Sequence, residues 1–161
     1  MNDPIRAQLA EIAQEILEDA AFVFAEPAEV EPPGDGAIFV SRIHVAGQGS
    51  GSVLLAVEPA VAREIAANLL ALDPADPEAA AKSADAVGEV LNMISGALSV
   101  RCSPPGLPMR FSTPVTEVLD GASVRLIDLE SRGSMLTTDL GARIWTAMLP
   151  GPVSASLEPR A

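Results

Sequence analysis

The sequence predicts a single α+β domain, an antiparallel β-sheet packed with helices in the order α, β-strands, α, α, β-strands. Three observations predict it. Helical apolar periodicity is confined to the start and the middle of the chain. Strand-length apolar runs lie on both sides of the middle helices. The 161 residues are 48% hydrophobic, enough for one domain with a substantial core.

The first helix is expected over about residues 4–18, where Ile5, Leu9, Ile12 and Ile16 recur on one face. The apolar run Ala20–Phe24 then reads as a strand, and Glu26–Asp35, with three prolines, as a loop. Two strands follow, Ala37–Val45 and Ser52–Glu58. The Gly-rich stretch Ala46–Gly51 between them is read as a hairpin connection. A phosphate loop would need a helix after it, and a P-loop a Lys-Ser/Thr pair as well; neither is present. A helix begins at Pro59, a favoured first-turn residue, with Ile65, Leu69 and Leu72 on its apolar side. Asp73–Pro77 breaks it. Asp76 as N-cap and Pro77 as first residue start a long helix, about 77–101, ended by Pro104, Pro105, Gly106 and Pro108. Strands are then expected at Met109–Thr113, Ser123–Leu129, Ser134–Thr138 and Arg143–Leu149, with Leu140-Gly141 as a tight hairpin. The domain therefore spans 1–150, and 151–161 is read as a flexible C-terminal tail.

Composition narrows the function. Ten Lys and Arg against 22 Asp and Glu give a net charge of −12, with no basic cluster, so nucleic acid and anionic membrane surfaces are poor partners. No apolar run reaches the roughly 20 residues of a membrane span. The N-terminal residues lack the pattern of a signal peptide, so a cytoplasmic location is expected. Cys102, the single cysteine, agrees with a reducing compartment. One His and one Cys exclude a metal site built from several such ligands. His44, the one histidine a Ser-His-Asp site would need, is read as a partly exposed strand residue.

The long helix carries the informative face. On a wheel of about 100° per residue, Val87, Val90, Leu91, Ile94, Ala97 and Leu98 gather on one side. The other side holds Glu78, Lys82, Asp85, Gly88, Glu89, Asn92, Ser95, Gly96 and Ser99. Asp85, Glu89 and Asn92 fall within roughly 60° of one another. Ordinary solvated faces are filled with strong helix formers, yet here stand two glycines, each costing on the order of 1 kcal/mol relative to Ala. Small residues beside a carboxylate and a carboxamide would let another surface approach closely. One acid and one amide three residues apart also occur by chance, so spacing alone names no reaction.

The run Asp85-Ala86-Val87-Gly88-Glu89-Val90-Leu91-Asn92-Met93-Ile94-Ser95-Gly96 resembles the signature helix of the CheC/CheX/FliY family, phosphatases of the phosphorylated chemotaxis regulator CheY. The family pattern is an acidic or Ser residue, three positions, Glu, two positions, Asn; Asp85, Glu89 and Asn92 occupy it. The Asp-Pro loop before the helix, the Pro-rich exit and the closing hairpin extend the resemblance over roughly residues 5–150. CheC-type members carry two such helices. Here the first helix offers Glu11 but Gln14 where Asn would be needed, one methylene too long. One competent motif favours the CheX subtype, whose members are typically homodimers joined through strands.

The resemblance implies a CheX-like fold and an enzyme that removes phosphate from an aspartyl phosphate on a CheY-like receiver domain. It implies Glu89 and Asn92 as the catalytic pair. Asn92 would orient the attacking water, and Glu89 would pair with a lysine of the receiver. It implies no cofactor on this chain, with Mg²⁺ held by the receiver. Gly88 and Gly96 would permit close docking; Asp85 either flanks the docking site or extends the polar face. The alternatives are a non-catalytic dimeric adaptor that binds a receiver, and a flagellar-switch component.

Overall fold

In the computed structural model, which describes residues 4–47, 50–103 and 105–151, the chain forms a mixed α/β domain around one antiparallel sheet. Helix α1 (Pro4–Ala21) leads to β1 (Ala25–Ala28), and the hairpin β2 (Ala37–Ala46) and β3 (Ser50–Val57) follows. Helices α2 (Pro59–Leu70), α3 (Pro77–Ala81) and α4 (Ser83–Cys102) come next. Strands β4 (Arg110–Phe111) and β5 (Val115–Asp120), one-turn helices α5 (Gly121–Val124) and α6 (Leu129–Arg132), and the hairpin β6 (Gly133–Thr138) and β7 (Arg143–Pro150) complete it. Among the described residues the sheet runs β1-β6-β7-β3-β2-β4, with β5 also paired to β2. Short β4 and longer β5 thus share one edge, opposite Val45–Ala46 and Ala37–Arg42 respectively.

Strand alternation divides the core between the two faces. Ile43, Val45, Val53, Leu55, Val57, Leu136 and Ile144 pack under α1, α2 and α4. From α4, Val87, Val90, Leu91, Ile94 and Leu98 are fully buried, each side chain contributing about 1.5–3 kcal/mol of hydrophobic stabilisation. The apolar stripe drawn on the wheel is therefore the face that fixes this helix. The other sheet face carries Ile38, Val40, Leu54, Ala56, Trp145 and Ala147, covered by Val124 of α5 and Leu129 of α6. Trp145 donates its indole N–H to the Glu31 carbonyl at 2.8 Å, and the Arg143 guanidinium lies 5.2 Å from its ring centroid.

Several expected elements differ. Ala20–Phe24 is not a strand: α1 continues to Ala21, which is fully buried one turn beyond Leu17. The helix ends as Phe22 turns left-handed (φ 52°) and the Val23 N–H reaches back to the Leu17 carbonyl. The strand lies instead at Ala25–Ala28, running into the expected loop; its proline is tolerated because β1 is an edge strand. The expected 77–101 helix is two, broken at Lys82 (ψ 4°), where the Ser83 hydroxyl donates to the Ala79 carbonyl. Ser123–Leu129 is not a strand either. Asp120 accepts from the Ser123 N–H and Asp128 from the Ser131 N–H, so each aspartate caps a helical turn. Strand β5 occupies residues to which the sequence assigned no element. The hairpins at 46–50 and around Gly141 (φ 82°) are present, with Gln48 and Gly49 outside the described residues. Most of the expected tail, 152–161, also lies outside them.

Candidate active site

Helix α4 rests on the helix side of β2 beside β5, and one glycine sets how close it comes. Ser41 of β2 is fully buried and pairs in register with Thr116 of β5; the Thr116 hydroxyl donates to Ser41 Oγ at 2.9 Å. A Cβ on Gly88 would lie 3.0 Å from Thr116 Oγ1, 3.7 Å from Pro114 Cβ and 3.9 Å from Ser41 Oγ. Gly88 thus admits β5 against the helix, and the room it leaves is filled by this chain's own Thr116. Gly96 differs: it is exposed, with nothing within 4 Å of an added Cβ. Of the two glycines expected to permit docking, only Gly96 presents open surface.

The wheel also placed Ser95 on the polar side; it is buried. Asp85, Glu89 and Asn92 remain exposed. They share an open groove of ≈310 Å³ with Ala84 and Gly88 on the helix and with Thr113, Pro114 and Thr116 opposite. No hydrogen bond or ion pair to another described residue engages the side chains of Asp85, Glu89 or Asn92. A carboxylate and a carboxamide one helical turn apart are thus held by a rigid, fully packed helix with their polar ends uncommitted. Such a pair can accept from a cation, and can both donate to and accept from a water.

The second wall is what the sequence reading missed. Thr113, Pro114 and Thr116 lie around the start of β5, and no local pattern ties them to α4. The β-branched Val115, Thr116 and Val118 were the available strand signal, obscured by Pro114.

Elsewhere the candidates fall away. Gln14 is half-buried and donates to the Ala25 carbonyl at 2.9 Å, pinning α1 to β1, while Glu11 is exposed. The α1 pair is therefore not a second copy of the α4 arrangement. His44 is exposed on β2, and its imidazole bonds no serine or acid among the described residues. Burial pushes the Cys102 thiol up, partly offset by Arg101, which makes it a poor nucleophile. Among the described residues no group of three or more His, Cys, Asp or Glu is placed to hold a metal ion, and no helix is long and apolar enough to cross a membrane.

Residues 39–136, which include α4 and both groove walls, match the model of the family described as chemotaxis phosphatase CheX. The chain belongs to this family. Solved structures share the fold at low identity. A CheX from Vibrio vulnificus superposes with a TM-score of 0.67 at 21% identity, covering 90% of this chain and 96% of that one. A CheX from Desulfovibrio desulfuricans gives 0.65 at 18%, covering 89% and 98%. The CheX of a CheX–CheY–BeF₃–Mg²⁺ complex from Borrelia burgdorferi gives 0.63 at 18%, covering 89% and 95%. No curated protein matches the sequence. In this CheX-family chain Asp85, Glu89 and Asn92 thus line the α4–β5 groove with no partner among the described residues.

Proposed function

We propose that this chain hydrolyses the aspartyl phosphate of a CheY-like receiver domain in chemotaxis or two-component signalling. The observation that carries the reading is the pair Glu89 and Asn92, exposed beside an open groove and without a partner among the described residues. Membership of the CheX family supports the reaction class. The complex from Borrelia burgdorferi, which contains CheX, CheY, BeF₃ and Mg²⁺, supports the class of partner.

Phosphoryl transfer to water asks for little covalent chemistry from the protein; positioning and electrostatics dominate. On this reading Asn92 enters the receiver's site and holds a water in line with the phosphorus. Its carbonyl accepts one proton of that water while the lone pair faces the phosphorus. Glu89, one turn away, pairs with a lysine of the receiver and fixes the docking register. Mg²⁺ held by the receiver would supply charge neutralisation at the phosphoryl oxygens. Asp85 flanks the groove on the N-terminal side, and Gly96 gives the receiver room at the other end. The active unit is a homodimer with one working helix per chain.

The experiment is phosphate release from a phosphorylated cognate receiver with Mg²⁺, with and without the protein. Faster release that depends on Asn92 and Glu89 supports the reading. Binding without any change in phosphate lifetime would assign the chain to the adaptor role instead.

A further inference from the structure

The groove beside α4 has two walls, and the Glu89–Asn92 pair stands on one of them. The course of α4 along β2 shows what lies opposite Asn92. At Gly88 the helix rests beside Ser41, whose Oγ is 3.9 Å from where a Cβ would be. At its far end Ser103 Oγ accepts from the Met109 N–H at 3.2 Å, next to Arg110, which pairs with Ala46. The helix therefore travels from the Ser41 level of β2 to the Ala46 level. Asn92, one turn past Gly88, is about 6 Å along that course. On the other wall Val115 pairs with Arg42, and the Ser112 N–H donates to the His44 carbonyl. Thr113 and Pro114 thus bridge Arg42 and His44, about 3–10 Å past Ser41 along the strand. They stand at the height of Asn92.

That second wall is held from several sides. The His44 N–H donates to Ser112 Oγ at 2.9 Å, and the Ser112 hydroxyl donates to the Thr113 carbonyl at 3.3 Å. The ring of Pro114 fixes its φ. The Thr116 hydroxyl is spent on Ser41. Thr113 is exposed, and its hydroxyl has no partner among the described residues. Asp85 and Glu89, as carboxylates, can only accept, so among the described lining residues Thr113 adds an uncommitted donor to the carboxamide of Asn92. A hydroxyl carried on a fixed main chain loses little freedom when it is engaged. We propose that Thr113 is a second contact for the receiver. Its hydroxyl hydrogen-bonds the main chain of the loop that Asn92 meets from the opposite wall. The inference rests on the receiver reading above and goes beyond it: the entry to β5, which is no part of the α4 signature, helps to select the receiver.

The test is a calorimetric titration of the full chain with a CheY-like receiver domain carrying BeF₃ and Mg²⁺, run for the native protein, Thr113→Val and Thr113→Ser. Valine keeps the shape and removes the hydroxyl; serine keeps the hydroxyl and removes the methyl. Thr113→Val should bind about fivefold more weakly or worse, the loss of one hydrogen bond, and Thr113→Ser should stay within about twofold of native. Both variants should melt with the native protein, because the side chain has no bond to lose among the described residues. Phosphate release from the phosphorylated receiver is followed in parallel. Native affinity in Thr113→Val, in a preparation where the native chain still speeds phosphate release, overturns the inference and leaves the phosphatase reading standing. Weakening in Thr113→Ser equal to that in Thr113→Val overturns the role of the hydroxyl. A native chain that binds no such receiver overturns the receiver reading and this inference with it.

Discussion

Replacing Gly88 by alanine tests how α4 is held over β5. Alanine in a helix interior gains about 1 kcal/mol over glycine. Against that gain, the new methyl would sit 3.0 Å from Thr116 Oγ1, several tenths of an ångström inside ordinary contact. Thr116 is β-branched and half-buried, so it yields only by turning its hydroxyl away from Ser41. Losing that bond costs about 1 kcal/mol, and the overpacking about 1–3 kcal/mol more. Gly88→Ala should therefore destabilise the protein by about 1–3 kcal/mol. In a Thr116→Ala background the obstacle is gone; Pro114 Cβ at 3.7 Å and Ser41 Oγ at 3.9 Å are ordinary contacts, so the same change should stabilise by about 1 kcal/mol. Urea unfolding of the four proteins gives the coupling between the positions, expected at about 2 kcal/mol or more. A Gly88→Ala effect of the same sign and size in both backgrounds would refute the claim that the helix rests on Thr116.

Gly96→Ala meets nothing within 4 Å, so thermal unfolding should show a gain of up to about 1 kcal/mol, while receiver affinity falls if the docking surface passes over that turn. Glu64 has its carboxyl raised above the usual range by burial and by the nearby Asp139. Its ionised form is thus disfavoured in the folded state, a penalty present above the folded pKa and absent below the unfolded one. Glu64→Gln should raise the melting temperature at pH 7 and leave it unchanged at pH 3; an equal rise at both would contradict the assignment. Gln14→Asn in an Asn92→Ala protein should restore no phosphatase activity, because position 14 faces the Ala25 carbonyl; recovered turnover would show that α1 presents a second site.

The exposed face of α4 was legible because its pattern is local. Glu89 and Asn92 lie one turn apart, and the apolar stripe of α4 states which side is buried. The other wall was not legible, because Thr116 and Ser41 are 75 residues apart and only the sheet brings them together. The same non-local contact explains Gly88: its sequence context shows that something comes close, but not that the visitor is Thr116. The C-terminal half misled for a local reason. Val124, Leu126, Ile127 and Leu129 form an apolar run of strand character, but Asp120 and Asp128, each three residues before a serine, cap turns that override it. Leu126 is consequently exposed, while Val124 and Leu129 cover the far face of the sheet.

The most direct test of the account is the dephosphorylation rate of a saturating phosphorylated receiver with Mg²⁺, compared between the native chain and Asn92→Ala, alongside receiver affinity for both. The Asn92 side chain has no partner to lose among the described residues, so the variant should fold and bind as before. If Asn92 positions the water, the catalysed rate should fall by at least about a hundredfold. A variant that binds the receiver and still hydrolyses its phosphate at the native rate would contradict the central claim.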